Sequence, residues 1–401
     1  MLLFIHHSAL CLLHCFLMSS ITPATPIVGT PHTGFKLGYR PALDGLRGIS
    51  ILLILEHHSP SHVNRLWFLP GGFIGVDIFF VLSGFLITTL LVQEWEQSHA
   101  ISLKNFYLRR VLRLFPALFL LITLTALYAL LAAPPDRKAG ILFSIVPALF
   151  YATNWVIAFN PDYQITPLGI TWSLAIEEQF YIFWPLLLSL ALRLNLGRRR
   201  TILFLALAVA GVSLLRIWMT LEGVSARRMY YGTDTRADSL LAGCLLSLLL
   251  LWGWLPFRPW GARVVKALAA LAVLTLAAIL IMMEHTGPLL YLAGFTTISV
   301  SVALIILMLF YAPLRPALAI LNYGPLVWVG KISYGLYLLH WPVRSLMIRL
   351  LPDLNIFSDL AYLCLTFIAA ALSFYLLERP FLRLKKRFRA EPLRARLVKA
   401  V

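Results

Sequence analysis

Apolar residues form long, nearly uninterrupted runs along the chain, and short polar stretches separate these runs. A helix needs about 20 mostly apolar residues to cross the hydrocarbon core of a membrane, and eleven runs approach that length. They lie at 43–59, 71–92, 111–132, 141–159, 170–193, 201–221, 233–252, 264–283, 289–312, 325–350 and 357–377. The pattern predicts an all-α fold, a polytopic helical bundle of an integral membrane protein.

Lysine and arginine cluster in alternate connections, as they do in loops that stay in the cytoplasm. These clusters follow the second, fifth, seventh, ninth and last runs. If the first run also enters from the cytoplasm, one run between 111 and 193 must fail to cross. The run at 141–159 ends in polar residues, so we predict that it is re-entrant or lies on the outer surface, which leaves about ten spans.

Composition supports this class. Apolar residues make up 60% and charged residues 13% of the chain, against about 45–50% and about 25% in soluble proteins. These values exclude an ordinary soluble enzyme and a disordered chain. The net charge of +17 resembles that of a nucleic-acid binder, but the cations lie between apolar runs and in the tail, so we expect no nucleic-acid partner. The four cysteines form no CxxC motif, which argues against a zinc site.

The chain divides into three parts. Residues 39–381 form one membrane domain, and 382–401 form a basic tail that we expect in the cytoplasm of a multi-pass protein of the cell (inner or plasma) membrane. Residues 1–38 are an atypical leader, because the apolar start lacks the basic region of a signal peptide. It is an extra helix, or translation starts at Met18.

Arg47 and His58 are the first pair of residues whose side chains suit catalysis. Eleven residues correspond to roughly 1100° of helix, so both lie on one face, about 16 Å apart along the axis. His57 points about 80° away. Histidine titrates near neutral pH and can carry a proton in catalysis. The alternative is that the two histidines only mark the end of a helix.

Three carboxylates lie within predicted spans, where a charge costs about 2.5–3.5 kcal/mol on insertion scales. Asp77 either pairs with His58 or Arg47 or is a polar group used in packing. The adjacent Glu177 and Glu178 favour a hydrated cavity that holds a substrate or orients a base.

Other cations have both a chemical and a structural interpretation. Arg110 and Arg113 share a helix face and suit phosphate, although arginines commonly flank membrane helices. Arg236 and Asp238 are two residues apart and do not face each other on a helix, so each needs its own partner, in an ion pair or a substrate site. His340 is interpreted as a hydrogen-bonded structural histidine.

Together these stretches resemble the membrane-bound acyltransferase 3 family of O-acyltransferases, from about Tyr39 to Phe381. Six features carry the resemblance in order: 43–48, the Arg47/His58 spacing, 75–84, the Arg110/Arg113 pair, 172–179 and 332–342. The resemblance implies transfer of acyl groups, usually acetyl, from acyl-CoA to carbohydrate hydroxyls on the far side of the membrane.

The resemblance also implies roles for residues. His58 matches the family's catalytic histidine and Arg47 its partner, while Arg110 and Arg113 match its donor-binding arginines. With the residues identified above, we assign catalysis to His58, Arg47, Glu177 and Asp77, donor binding to Arg110 and Arg113, and acceptor binding to Glu178, Trp172, Arg236 and Asp238. We expect no metal and no permanently bound cofactor; the partners are acyl-CoA as donor substrate, a carbohydrate or glycosylated acceptor and membrane lipid.

Two other functions are compatible with charged residues in spans. A secondary transporter uses such residues along ion pathways, but the internal symmetry of many transporters is not visible in this sequence. A non-enzymatic protein of envelope assembly would not need so many buried ionisable groups.

Overall fold

The computed structural model of the protein describes residues 37–60, 69–163, 166–255, 258–351 and 354–384. Helices account for most of this part of the chain, and none of its residues lies in a β-strand. The all-α class that the apolar runs predict is therefore confirmed. The predicted leader and the predicted basic tail lie almost wholly outside the described residues.

The α-helices are numbered here in chain order. They are α1 (Pro41–His57), α2 (Ile74–Ser98), α3 (Leu103–Leu131), α4 (Pro135–Phe143), α5 (Ile145–Leu149), α6 (Thr153–Phe159), α7 (Trp172–Arg193), α8 (Arg198–Leu221), α9 (Ala226–Tyr231), α10 (Thr233–Leu251), α11 (Pro259–Met282), α12 (Phe295–Tyr311), α13 (Arg315–Leu321), α14 (Gly324–Lys331), α15 (Ser333–Leu350), α16 (Ile356–Leu372) and α17 (Arg379–Leu384). Short 3₁₀ turns at Pro70–Phe73 and Gly169–Thr171 lead into α2 and α7, and π-helical turns at Leu290–Gly294 and Ser373–Glu378 lead into α12 and α17.

Seven helical segments of the described chain are long and apolar enough to cross a membrane. They are Pro70–Ser98, Leu103–Leu131, Gly169–Arg193, Arg198–Leu221, Pro259–Met282, Leu290–Tyr311 and Ile356–Leu384. Seven such segments confirm a polytopic membrane fold. A helix suits this environment because it satisfies its own backbone hydrogen bonds, which lipid cannot do.

The predicted count of ten spans is not confirmed by length and composition. The three remaining predicted spans correspond to α1, α10 and α15, which have 17, 19 and 18 residues. Helix α10 begins with three charged residues, Asp234, Arg236 and Asp238. The last predicted run but one, 325–350, is divided between α14 and α15, which meet at Ile332.

The run at 141–159 contains no single long helix. It is divided among the end of α4, α5 and α6, which have 9, 5 and 7 residues, and nine helical residues extend only about 14 Å. The amide of Gln179 on α7 holds this segment, since it donates to the Tyr151 carbonyl at 2.7 Å and to Asn154 Oδ1 at 2.9 Å. The indole of Trp155 donates to Gln179 Oε1 at 3.2 Å. Gln179, in the interior of a helix, thus provides hydrogen-bond partners for polar groups of this irregular segment.

Glycines set the register between α2 and α10. A Cβ atom on Gly84 would overlap the carbonyl of Leu240, and one on Gly243 would overlap the carbonyl of Val81. Small residues allow two membrane helices to approach this closely. The hydrogen bond between Thr89 and Ser247, at 2.8 Å, lies further along both helices, so α2 and α10 run parallel.

Helix α1 begins at Pro41, a residue whose fixed φ suits the first position of a helix. Its early turns pack against α13 and α14, where Gly45 contacts Leu321 and Gly330 contacts Asp44. Its later turns pack against the start of α2, where Gly75 contacts the carbonyl of Ser50. Helices α1 and α2 are therefore antiparallel, and this arrangement fixes the depth of Arg47 and His58.

The bundle has two chemically different ends. The histidine end contains His57, His58, His285 and His340. Their rings form a row in space, with centroid distances of 6.1 Å from His285 to His57, 5.2 Å from His57 to His58 and 5.1 Å from His58 to His340. The opposite end, the arginine end, contains the start of α1, the end of α2 and the start of α3. An ion pair between Arg109 and Glu94, at 3.4 Å, joins the start of α3 to the end of α2. The two ends separate the candidate groups into two regions.

Candidate active site

A cavity lies between α1, α2, α3, α7 and α15. Four predicted site residues line it, namely Arg47, Arg110, Arg113 and Glu177. Its remaining wall is largely apolar, with Phe79 and Leu82 among the side chains of α2, and Tyr337 of α15 lines it as well. The structure therefore brings together residues from three separate sequence motifs, of which Arg47 and Glu177 are 130 positions apart.

Arg110 is held within the protein. Its Nε donates to Glu178 Oε1 at 2.8 Å and its Nη2 also contacts the same carboxylate. Glu177 lies 3.9 Å from Nη2, and the guanidinium stacks on Tyr181 at 3.2 Å from the ring centroid. Glu178 is buried and does not line the cavity, so its role in this structure is to neutralise Arg110.

Arg47 and Arg113 are in a different situation. Both are half-buried and line the cavity, and neither forms an ion pair or a side-chain hydrogen bond with another described residue. The guanidinium of Arg47 lies 5.9 Å from the Phe79 ring, which leaves its hydrogen-bond donors available. Unpaired cations in a partly enclosed site attract anions, and the guanidinium fork suits phosphate oxygens. Of the predicted Arg110/Arg113 pair, the structure therefore pairs Arg110 with Glu178, whereas Arg113, like Arg47, has no ion-pair partner among the described residues.

Glu177 forms part of the cavity wall and connects two helices. It accepts hydrogen bonds from the Ser83 hydroxyl and, at 2.6 Å, from the Tyr181 hydroxyl. Both neighbours lie at the cavity, and within the described residues no contact joins Glu177 to His58. Of the two roles predicted for Glu177, orienting a base has no contact to support it among the described residues, while the position of Glu177 at the cavity beside Arg110 is compatible with holding a substrate.

Two fully buried ion pairs account for the predicted residues Asp77, Arg236 and Asp238. Arg236 Nη2 donates to Asp77 Oδ1 at 2.8 Å, and Arg216 Nη2 donates to Asp238 Oδ2 at 2.8 Å. Their side chains are 0% exposed, and none of them lines the cavity. The expectation that Arg236 and Asp238 have separate partners is confirmed, whereas Asp77 pairs with neither His58 nor Arg47.

Helix register explains these pairings. Asp77 precedes Gly84 by two helical turns, and Arg236 precedes Gly243 by two turns on the parallel helix α10. The glycine contact therefore brings Asp77 and Arg236 together. Arg216 was not identified from the sequence, although it is the only charged residue in the run 201–221, and that isolation was the available signal.

Trp172 lies near these pairs rather than in the cavity. Its ring is buried and packs against Tyr230 and Tyr231, each at a centroid distance of 5.1 Å. The Arg236 guanidinium lies 5.9 Å from the Trp172 ring and 3.8 Å from the Phe295 ring. In this structure Trp172 is one wall of the aromatic enclosure around Arg236.

His58 lies at the C-terminal end of α1. Its Nδ1 is 2.9 Å from the carbonyl oxygen of Ile54. Because a carbonyl only accepts hydrogen bonds, Nδ1 carries the proton, and Nε2 keeps a lone pair that can accept a proton. His57 faces other neighbours, with Phe73 at 6.2 Å and His285 at 6.1 Å between ring centroids. The structure therefore distinguishes the two adjacent histidines by their surroundings.

Helix α15 connects the cavity with His58. Tyr337 lines the cavity and its ring is 5.7 Å from that of His340, which in turn is 5.1 Å from the ring of His58. Trp341 packs edge-on against His58 at 5.2 Å. Tyr337 and His340 share a helix face at a spacing of three residues, but nothing in the sequence indicated that this face meets the end of α1.

Comparisons with known proteins identify relatives across most of the chain. The family described as an acyltransferase domain matches residues 40–378. The peptidoglycan O-acetyltransferase OatA of Listeria monocytogenes is 35% identical over 364 residues, which cover 87% of this chain and 56% of that protein. A Staphylococcus aureus protein with a provisional O-acetyltransferase name is 36% identical over 361 residues, covering 86% of this chain and 58% of that protein.

A third relative is the Bacillus subtilis protein YrhL, whose provisional name is peptidoglycan O-acetyltransferase. It is 34% identical over 355 residues, which cover 85% of this chain and 55% of that protein. The chain thus spans little more than half the length of these relatives. No solved structure gives a significant match.

Proposed function

Because the chain belongs to the acyltransferase domain family over residues 40–378, we propose that it is an O-acyltransferase that moves an acyl group, in the first instance acetyl, from acyl-CoA to a carbohydrate hydroxyl. The relatives support this acceptor class, because two of them carry names that specify peptidoglycan O-acetylation. The proposed site is the cavity together with the histidine end to which α15 connects it.

The single observation that supports this proposal is the position of Arg47 and His58. Arg47 and Arg113 line the cavity and have no ion-pair partner within the described part of the chain, so they offer positive charge to the phosphates of CoA. His58 presents a free Nε2 about 16 Å further along α1, which suits the extended pantetheine arm. In this proposal the donor lies along the axis of α1, with its phosphates at Arg47 and Arg113 in the cavity and its thioester beside His58, which does not itself line the cavity.

The proposed chemistry needs one general base. Nε2 of His58 takes the proton of the acceptor hydroxyl as that oxygen attacks the thioester carbonyl carbon. The new C–O bond forms, the C–S bond breaks, and the thiolate of CoA leaves and takes up the proton. In the neutral ring, the hydrogen bond from Nδ1 to the Ile54 carbonyl fixes the tautomer in which Nε2 carries the lone pair.

The positive residues support one orientation of the protein in the membrane. The arginine end carries Arg109 at the start of α3, and Arg198 at the start of α8 contacts Trp252, the residue after α10, at 5.9 Å. Cations on cytoplasmic loops orient membrane proteins. We therefore place the arginine end in the cytoplasm, where acyl-CoA is available, and the histidine end on the far side of the cell membrane, where the glycan would be acylated.

Glycan analysis tests the proposal directly. We expect mass spectrometry of envelope and secreted glycans to show loss of one O-acyl group in a deletion strain and its return when the gene is restored. Unchanged glycans in the deletion strain, with no CoA released from acetyl-CoA by the purified protein, would contradict the proposal and favour transport.

Replacing Arg113 with alanine should weaken donor binding. A hydrogen bond to a charged group contributes about 1.5–3 kcal/mol, so we expect the KM for acetyl-CoA to rise about 10- to 100-fold with little change in kcat. Arg47→Ala should behave in the same way, because both side chains are unpaired and line the same cavity. The measurement is CoA release by the purified protein as a function of acetyl-CoA concentration.

Arg109→Ala is the matched control. Arg109 lies on the same helix but pairs with Glu94 and does not line the cavity. The KM of Arg109→Ala for acetyl-CoA should therefore equal that of the wild type. An equal rise in KM for the control and for Arg113→Ala would show that the cavity does not bind the donor phosphates.

A further inference from the structure

His340 combines complete burial with an unsatisfied acceptor. Its side chain is 0% exposed, and its Nδ1 lies 2.7 Å from the Tyr337 carbonyl and 3.3 Å from the Leu336 carbonyl. Nδ1 therefore carries the proton, and Nε2 is the acceptor. Nε2 has no hydrogen-bond partner among the described residues. Buried polar atoms are nearly always paired, so each exception needs an explanation.

The nearest ring that could explain this atom is His58, with centroids 5.1 Å apart and planes tilted by 40°. His58 has the same tautomer, because its Nδ1 also donates to a helix carbonyl. With both Nε2 atoms unprotonated, neither imidazole can donate to the other. One added proton changes this, since a protonated Nε2 on one ring can donate to the lone pair of the other.

The surroundings strengthen the case for such a hydrogen bond. A catalytic histidine is commonly stabilised by a carboxylate, but no carboxylate of the described residues forms an ion pair with His58 or His340. The nearest charged group on α15 is a cation, Arg344, whose guanidinium lies 5.2 Å from the Trp341 ring. A second positive charge on His58 is unfavourable beside this cation, so a neutral acceptor is the available form of stabilisation.

We propose that His340 is a positioning residue of the proposed acyl transfer: once His58 has taken the hydroxyl proton, Nε2 of His340 is a second acceptor for the Nε2–H of His58, in a three-centre hydrogen bond that also includes the acceptor oxygen. This inference rests on the proposed function. The acceptor O–H bond breaks as the N–H bond of His58 forms, the C–O bond replaces the C–S bond, and the proton stays on Nε2 of His58 until the departing thiolate takes it. His340 stays chemically unchanged over the cycle.

The test separates this role from a structural one with two variants. His340→Asn keeps an amide donor near the position of Nδ1 for the Tyr337 carbonyl but removes the acceptor at Nε2. His340→Gln places an amide oxygen near the position of Nε2. We expect kcat of His340→Asn to fall about 10- to 100-fold, the range for one hydrogen bond to a charged group, while KM for acetyl-CoA stays unchanged. His340→Gln should recover a substantial part of the lost kcat.

The measurement uses the purified full-length protein with acetyl-CoA as donor and soluble peptidoglycan fragments as acceptor, alongside thermal unfolding of each variant. Wild-type kcat in His340→Asn, or an equal loss in both variants, overturns the inference while leaving the proposed function intact. The proposed function itself fails if the wild-type protein neither transfers acetyl nor changes the glycans of the deletion strain. Comparison of wild type with the two variants therefore distinguishes the two failures.

Discussion

Replacing His58 with alanine should lower the rate of acyl transfer by about 10²- to 10⁴-fold, the range that general-base catalysis contributes. The variant loses the Nε2 lone pair that would take the hydroxyl proton. The fold should remain, because His58 lies at the last turn of α1 and its one side-chain hydrogen bond is to the Ile54 carbonyl of the same helix. The measurement is O-acyl content of glycans in the deletion strain expressing the variant, with membrane abundance of the protein determined in parallel.

His57→Ala is the control for this prediction. His57 is adjacent in sequence, but its ring faces Phe73 and His285 rather than His340. The acyl-transfer activity of His57→Ala should remain within a few-fold of that of the wild type. Normal acylation in His58→Ala, or loss of acylation only in His57→Ala, would show that His58 is not the base.

Replacing Asp77 with alanine should destabilise the protein by about 3–5 kcal/mol, because it leaves the Arg236 charge buried without its partner. Both side chains of the pair are 0% exposed, so water cannot replace the lost carboxylate. Thermal unfolding of the purified protein in detergent measures the effect. Arg109→Ala, which breaks a partly exposed pair with Glu94, should cost only about 0–1 kcal/mol.

A double variant separates structural and catalytic interpretations of this pair. Asp77→Leu with Arg236→Met removes both charges, and apolar replacements of a buried ion pair are often neutral or stabilising. We expect the double variant to recover most of the stability and to retain acyl transfer, since neither side chain lines the cavity. A stable but inactive double variant would instead support the catalytic role that the sequence suggested for Asp77.

The buried pairs also account for charged residues within the apolar runs that do not reach the cavity. Asp77, Arg236, Asp238 and Arg216 connect α2, α8 and α10 in the interior. Lipid gives little hydrophobic driving force for association of apolar helices. We infer that these ion pairs and the glycine contacts keep the helices in one register, which holds the walls of the cavity in place.

The sequence by itself determined the class of protein and the relation of residues within one helix. Run length predicts membrane helices, and the periodicity of the helix places Arg47 and His58 on one face of α1. The irregular segment 141–159 was also recognisable, because polar residues interrupt its apolar run. These features depend only on local composition and on helix geometry, so a sequence is sufficient to reveal them.

Only the tertiary structure decided which charged residues are free and which are paired. Glu178 neutralises Arg110, Arg47 and Arg113 line the cavity without an ion-pair partner among the described residues, and His340 lies against His58. Each of these contacts joins helices that are distant in the chain. Their register depends on where glycines allow close approach, as Gly84 and Gly243 do for α2 and α10. Helix periodicity gives the face on which a residue lies but not the neighbour that the face meets, because that neighbour is fixed by packing of the whole bundle.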